Sequence, residues 1–171
     1  MKLTVALLLF VVAAAYADGH PVFYVDKGAC PFECCTYRDW GAEKEIMLYA
    51  EPRIKSSVVG VVQKGARVKA KTGEVHTKPG KLIVRRDTAS FREGEILWVY
   101  TYLGEGVFKI WHQGKFIEDQ IDFNYRKPSP DDWGYFAVKP KSVWWVRVRT
   151  AAGLEGWTKQ VDDFSNKDAC G

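Results

Sequence analysis

Val58-Val59-Gly60-Val61-Val62-Gln63-Lys64-Gly65-Ala66-Arg67-Val68-Lys69-Ala70-Lys71 decides the fold class. A solid β-branched run stops at Lys64-Gly65. Strict alternation follows, with Ala66, Val68 and Ala70 facing one way and Arg67, Lys69 and Lys71 the other. That is a half-buried strand with a basic, solvated outer face, and Gly73 ends it. Upstream, Glu45 to Tyr49 reads as the first strand, broken by Glu51-Pro52. Downstream, Glu74 to Thr77 is a short strand cut off by Pro79-Gly80, and Leu82 to Arg85 is another. Ile96 to Leu103, rich in Trp, Tyr and Val, reads as buried on both faces. Gly104-Glu105-Gly106 turns it into Val107 to Trp111, and Gln113-Gly114 turns that into Lys115 to Ile117, a meander of hairpins. A looser stretch, Asn124 to Gly134, precedes Val143 to Arg149, which runs through Ala152-Gly153 into Gly156-Trp157-Thr158. No segment sustains a helical period, which argues against parallel βαβ construction and for a small all-β barrel or sandwich.

Composition agrees. The chain has 171 residues, 47% hydrophobic and 27% charged, enough for one domain with a real core. Seven Trp, eight Tyr and nine Phe stand against two Met, a balance that favours pleated surfaces. The net charge of +4, from 25 basic and 21 acidic residues, is too small and too evenly spread to point to nucleic acid. No apolar span of about 20 residues occurs, so no stable membrane insertion is expected.

Residues 1–17 read as a secretory signal peptide. Lys2 is the positive start, Leu3 to Ala15 the apolar run and Ala15-Tyr16-Ala17 the cleavage pattern, so cleavage is expected after Ala17 and the product is secreted or periplasmic. Export changes how the four cysteines are read. Cys30, Cys34, Cys35 and Cys170 most simply make two disulfides. Adjacent Cys34 and Cys35 rarely bond each other, so Cys30 takes one of them and Cys170 the other. One bridge then closes a tight local loop and the other spans more than 130 residues, with a chain-entropy contribution of up to about 5 kcal/mol. Zinc is the rival, but two adjacent thiols and one at the chain end are poor tetrahedral spacing. No metal or cofactor is expected.

Leu48-Tyr49-Ala50-Glu51-Pro52, then Ser56-Ser57-Val58-Val59-Gly60, then Lys64-Gly65-Ala66-Arg67-Val68 resembles the opening of a bacterial SH3-like (SH3b) domain. Trp144-Trp145-Val146-Arg147-Val148 with Gly153 and Gly156-Trp157 resembles its last hairpin and Gly-Trp signature. The resemblance covers roughly 45 residues and departs from the family pattern by an insert of about 70 residues. It implies a Cys-rich leader over 18–43 and a small SH3-like barrel over 44–164 with an inserted β-meander over about 74–142. A tail over 165–171 is tied down by Cys170. Either the insert extends the barrel, or two half-barrels share one core. Gly65 and Gly153 fall where tight turns need permissive angles, and Gly156 where a bulky ring crosses the sheet face.

Val146 and Val148 share a face with Trp144, whereas Trp145 shares the opposite face with Arg147 and Arg149, so Trp145 is expected at the surface. A Trp beside Arg either packs or serves as a ligand platform. By the resemblance, Tyr49 floors a shallow ligand groove with Trp157 close to it, and Trp111, Trp133 and Tyr135 from the insert extend or cover that surface. Catalytic constellations are thin. His20 lies near the start of the mature chain, His76 and His112 sit by turns, no Ser stands in a nucleophile elbow, and the thiols are taken by bridges. Asp131-Asp132, Asp162-Asp163 and the Glu118-Asp119-Asp122 group are more often turn-formers than acid–base pairs. The expectation is a secreted, non-enzymatic SH3-like module recognising a cell-wall component or a peptide or protein ligand. The competing readings are a hydrolase using paired carboxylates and a structural accessory protein of an envelope complex.

Overall fold

A computed structural model describes residues 19–123, 127 and 129–170; the expected signal peptide lies outside the described residues. Thirteen strands and one 3-10 turn follow in order. They are β1 (Tyr24–Lys27), β2 (Asp39–Ala42), β3 (Ile46–Tyr49), β4 (Val58–Val62), β5 (Arg67–Lys78), β6 (Gly80–Val84) and β7 (Ile96–Gly104). Then come β8 (Val107–His112), β9 (Lys115–Gln120), β10 (Gly134–Val138), β11 (Lys141–Thr150), β12 (Glu155–Thr158), the 3-10 turn Val161–Asp163 and β13 (Phe164–Ser165). The protein is all-β, as its periodicity predicts.

Two antiparallel sheets result. The first curls in the order β13-β2-β5-β11-β12-β3-β4, with β1 also on β5. The second runs β10-β6-β7-β8-β9 and contains the expected β7-β8-β9 meander. Each sheet has its own core. Trp40, Ile46, Leu48, Val68, Val146 and Phe164 fill the first, and Leu82, Phe91, Leu97, Val99, Phe108 and Ile110 fill the second. The alternation read at 66–71 holds, with Val68 and Ala70 buried and Arg67, Lys69 and Lys71 exposed. Gly65 and Gly153 both take positive φ, at 83° and 86°.

The spine is the β5–β11 ladder. Its register runs from Lys78↔Lys141 to Val68↔Thr150, with one irregularity between Arg147 and Val148. The expectation that Gly73 ends a strand is therefore corrected, because β5 passes through it, with Gly73 opposite Val146. The glycine is there for space. A Cβ on it would lie 2.5 Å from Trp144 Nε1 and 2.9 Å from the Ala29 carbonyl, and would also strike the Tyr37 hydroxyl. That hydroxyl donates to Ala29 O, closing the Cys-rich leader over the strand. Gly156 is also a close-approach position, but the neighbours are Leu48 Cβ at 2.8 Å and Val59 Cγ2 at 2.9 Å rather than an aromatic ring.

Four elements escape a pattern reading: β1, β2, β10 and β13. Three of them are leader and tail strands held by partners distant in sequence. β2 pairs with β5 and β13, and the tail continues alongside the leader through Thr36 N–H to Lys167 O (2.9 Å) and Ala169 N–H to Cys34 O (2.8 Å). Arg38 adds donors to Asn166 O (2.9 Å) and Asp168 O (2.5 Å). The bridges are Cys30–Cys35 and Cys34–Cys170, one of the two pairings the sequence leaves open. Their separations of 5 and 136 residues give chain-entropy contributions of about 2 and about 5 kcal/mol respectively. Replacing Cys34 and Cys170 together by Ala should therefore lower the urea midpoint distinctly more than replacing Cys30 and Cys35. Equal midpoints in the two double variants would contradict this.

Candidate functional site

Tyr49 and Trp157 are Cα partners across β3 and β12, both half-buried, so their side chains share the outer face of the first sheet. Trp145 meets Tyr49 edge-on at 5.8 Å. It is not at the surface: at 2% exposure it is buried, which corrects the alternation reading. Arg147 and Arg149 on the same face do reach solvent, tied to Glu155 at 2.6 and 4.0 Å. At the level of Trp145, by contrast, Tyr49 on one side and His76 of β5 on the other close over the ring, and the Phe23 ring in turn stands edge-on to His76. Both faces of β11 are covered at that point, which no single-strand pattern reveals. Around the pair, Met47, Val58 and Val61 are exposed, and β4 is the edge strand of the sheet.

The insert's aromatics do not join this surface. Trp111 lies in a cross-strand row between Trp98 and Phe116, 5.0 Å edge-on to Phe116, and its buried Nε1 lacks a partner among the described residues. Trp133 stacks on Phe91 at 5.7 Å at the rim of the second core and donates to Asp122 Oδ1 at 2.6 Å. Tyr135 carries the Arg85 guanidinium 4.5 Å above its ring. His20 stacks on Trp98 at 3.5 Å.

A concavity lies elsewhere, where the disulfide leader meets the second sheet. Two adjoining compartments of about 480 and 590 Å³ share Pro31 and Tyr102. The outer one lies between the Cys30–Cys35 loop, with Phe32 and Glu33, and the β7–β8 turn, with Leu103 and Glu105. The inner one reaches Val75, Ser142, Thr101 and Phe108, at the junction of the two sheets. Both volumes are of the size that holds small ligands. Sequence reasoning missed this cleft because its walls come from five segments distant in sequence. The one local signal was the short Cys30–Cys35 loop, which holds Pro31, Phe32 and Glu33 in place.

Titratable groups are mostly satisfied. Glu118, on the cleft, pairs with Lys109 at 2.7 Å, and that bond holds the Lys109 ammonium above its ordinary value. Asp26 of β1 lies nearby. Burial pushes its carboxyl up, Lys109 pulls it back, and Glu118 raises it further. His76 pairs with Glu74 at 2.9 Å and His112 with Glu95 at 3.2 Å. Burial opposes ionisation of Glu95, but the Arg92 N–H, His112 and Gln113 outweigh it and hold the carboxyl low. Asp163 takes Lys44 at 2.7 Å, and Asp132 accepts the Ser129 N–H at 2.6 Å, so these acids shape turns and ion pairs. Cys34, Asp168 and Cys170 cluster as metal ligands would, but the two sulfurs are bonded to each other and supply no thiolate.

No protein-family model, no curated protein and no solved structure matches the chain. Among the described residues no helix is long and apolar enough to cross a membrane. The two disulfides belong to a non-reducing compartment.

Asp26 supplies a pH test. Its folded pKa is raised, so the native state holds the proton over the window above the ordinary value of 3.8. Stability from this group is therefore present below that value and lost as pH rises through the shifted one. Asp26→Asn should be more stable than the parent in urea denaturation at pH 7, the difference shrinking towards pH 3. A less stable variant at pH 7 would show that the Lys109 attraction dominates instead.

Proposed function

We propose that this chain is an exported, non-enzymatic binding module, SH3-like in its first sheet, which holds a cell-wall-derived or peptidic ligand against Tyr49 and Trp157. The supporting observation is their placement. Two half-buried aromatic residues pair across β3 and β12, Trp145 stands edge-on to Tyr49, and Tyr49 lies one strand in from the free edge of β4. Flat rings grip extended chains or sugars by stacking and burial at small entropic cost. A free strand edge offers main-chain donors and acceptors to an extended peptide, and alternate side chains then fall on the aromatic face. Neither histidine–carboxylate pair has a Ser, Thr or Cys side chain hydrogen-bonded to it among the described residues, so neither forms a nucleophile–base unit.

The hydrolase reading keeps one observation in its favour, the carboxylates of Glu33, Glu105 and Glu118 on the outer cleft. Glu118 is committed to Lys109, which weakens it as an acid–base group.

Cosedimentation of the mature protein with purified cell wall tests both readings. Retention should exceed that of a control protein and fall about tenfold or more in Trp157→Ala, the scale of one lost aromatic anchor at about 2 kcal/mol. No soluble sugar or amine should be released. Unchanged retention in the variant would overturn the binding site, and released fragments would overturn the non-enzymatic assignment.

A further inference from the structure

The cleft between the Cys30–Cys35 loop and the β7–β8 turn has a composition unlike the rest of the molecule. The chain as a whole is basic, at +4. Yet the charged groups lining the outer compartment are all carboxylates, Glu33, Glu105 and Glu118, and no Lys, Arg or His lines either compartment. Lys109 neutralises Glu118 from one side. Glu33 and Glu105, both exposed, form no ion pair among the described residues, and they line the compartment from separate segments, one on the disulfide loop and one on the hairpin turn. Between them the walls are apolar, made by Pro31, Phe32, Tyr102 and Leu103. The inner compartment adds Thr101, which is 2% exposed.

We propose that this cleft is a second binding site, separate from the Tyr49–Trp157 face, for a cationic side chain of a peptide: an ammonium or guanidinium carried on an apolar stem. Charge complementarity selects that occupant. Two unpaired carboxylates beside a low-dielectric wall favour a cation over a neutral or anionic group. Phe32 and Tyr102 accept an alkyl stem and offer ring faces to a cation. A cavity of about 480 Å³ accommodates one long side chain with its flanking backbone. The Cys30–Cys35 bridge holds the wall bearing Phe32 and Glu33 in place before the ligand arrives, which limits the ordering cost of binding. The site stands on its own and does not require the outer face to bind anything.

The probe is acetyl-Gly-Lys-Gly-amide, titrated against the full mature chain and followed by amide chemical shifts, with the Nε-acetyl-lysine peptide as its neutral counterpart. The lysine peptide should shift Phe32, Glu33 and Glu105 saturably. The acetylated peptide should bind about tenfold or more weakly, and the same loss should appear for the lysine peptide with the Glu33→Gln/Glu105→Gln variant. Trp157→Ala should leave this binding unchanged, which separates its failure from that of the outer-face site. Equal binding of the two peptides, unchanged binding in the double variant, shifts confined to β3 and β12, or no shift at millimolar peptide would each overturn the proposal. A dispersed spectrum of the free double variant confirms its fold, and the single Glu105→Gln change, on an exposed turn, replaces it if needed.

Discussion

The β5–β11 ladder holds both halves of the molecule. Ten residue pairs run from Lys78↔Lys141 to Val68↔Thr150, with one register shift between Arg147 and Val148. One end of this ribbon carries the first core through Val68, Ala70, Val146 and Val148. At the other end the chain leaves for the second sheet and returns. The second sheet is thus an excursion from a hairpin whose two strands are locked along their length. Closing a long loop costs entropy that grows only slowly with its length, so an excursion with its own buried core is tolerated. The ladder also sets a steric condition. The leader crosses β5 at Gly73, where Tyr37, Trp144 and Ala29 leave no room for a side chain.

A second layer of constraint comes from the leader itself. β1 adds to β5, and its Tyr24 ring reaches Tyr100 at 5.7 Å and Phe116 at 5.2 Å on the second sheet. Tyr100 in turn donates to the Pro21 carbonyl at 2.5 Å. The leader is therefore a strap across both sheets, looped on itself by Cys30–Cys35 and joined to the C-terminal tail by Cys34–Cys170. Covalent fastening suits the stretch ahead of Tyr37, which among the described residues contributes nothing to either core and would otherwise open at little cost.

Much of this was legible in the chain. Period-two alternation at 66–71, the solid run at 58–62 and the Gly-bearing turns gave the all-β class and the β7-β8-β9 meander directly. Cysteine arithmetic narrowed the bridges to two pairings. Strand edges that depend on distant partners were not legible. Gly73 looks like a terminator locally and is an interior strand position because β11 pairs across it. Trp145 looks like a surface ring by alternation and is buried because Tyr49 and His76 arrive from other strands. Tyr49 and Trp157 were expected together and are paired, whereas Trp111, Trp133 and Tyr135 serve the second sheet. The cleft was out of reach of any local pattern, since proximity of Phe32 to Tyr102 exists only after the leader folds over.

The proposed binding role rests on rigidity. A frame fixed by a long ladder, two small cores and two bridges presents a pair of rings on one face and an acidic cleft on another, with side chains placed before a ligand arrives. Native-state amide hydrogen exchange under mild denaturant tests that frame. If the β5–β11 ladder couples the sheets, amides of Val75, Val146, Leu97 and Ile110 exchange only through global unfolding and share one opening free energy. If the second sheet lost protection at a clearly lower free energy while β5 and β11 stayed closed, the two sheets would be independent units and the frame would not be single.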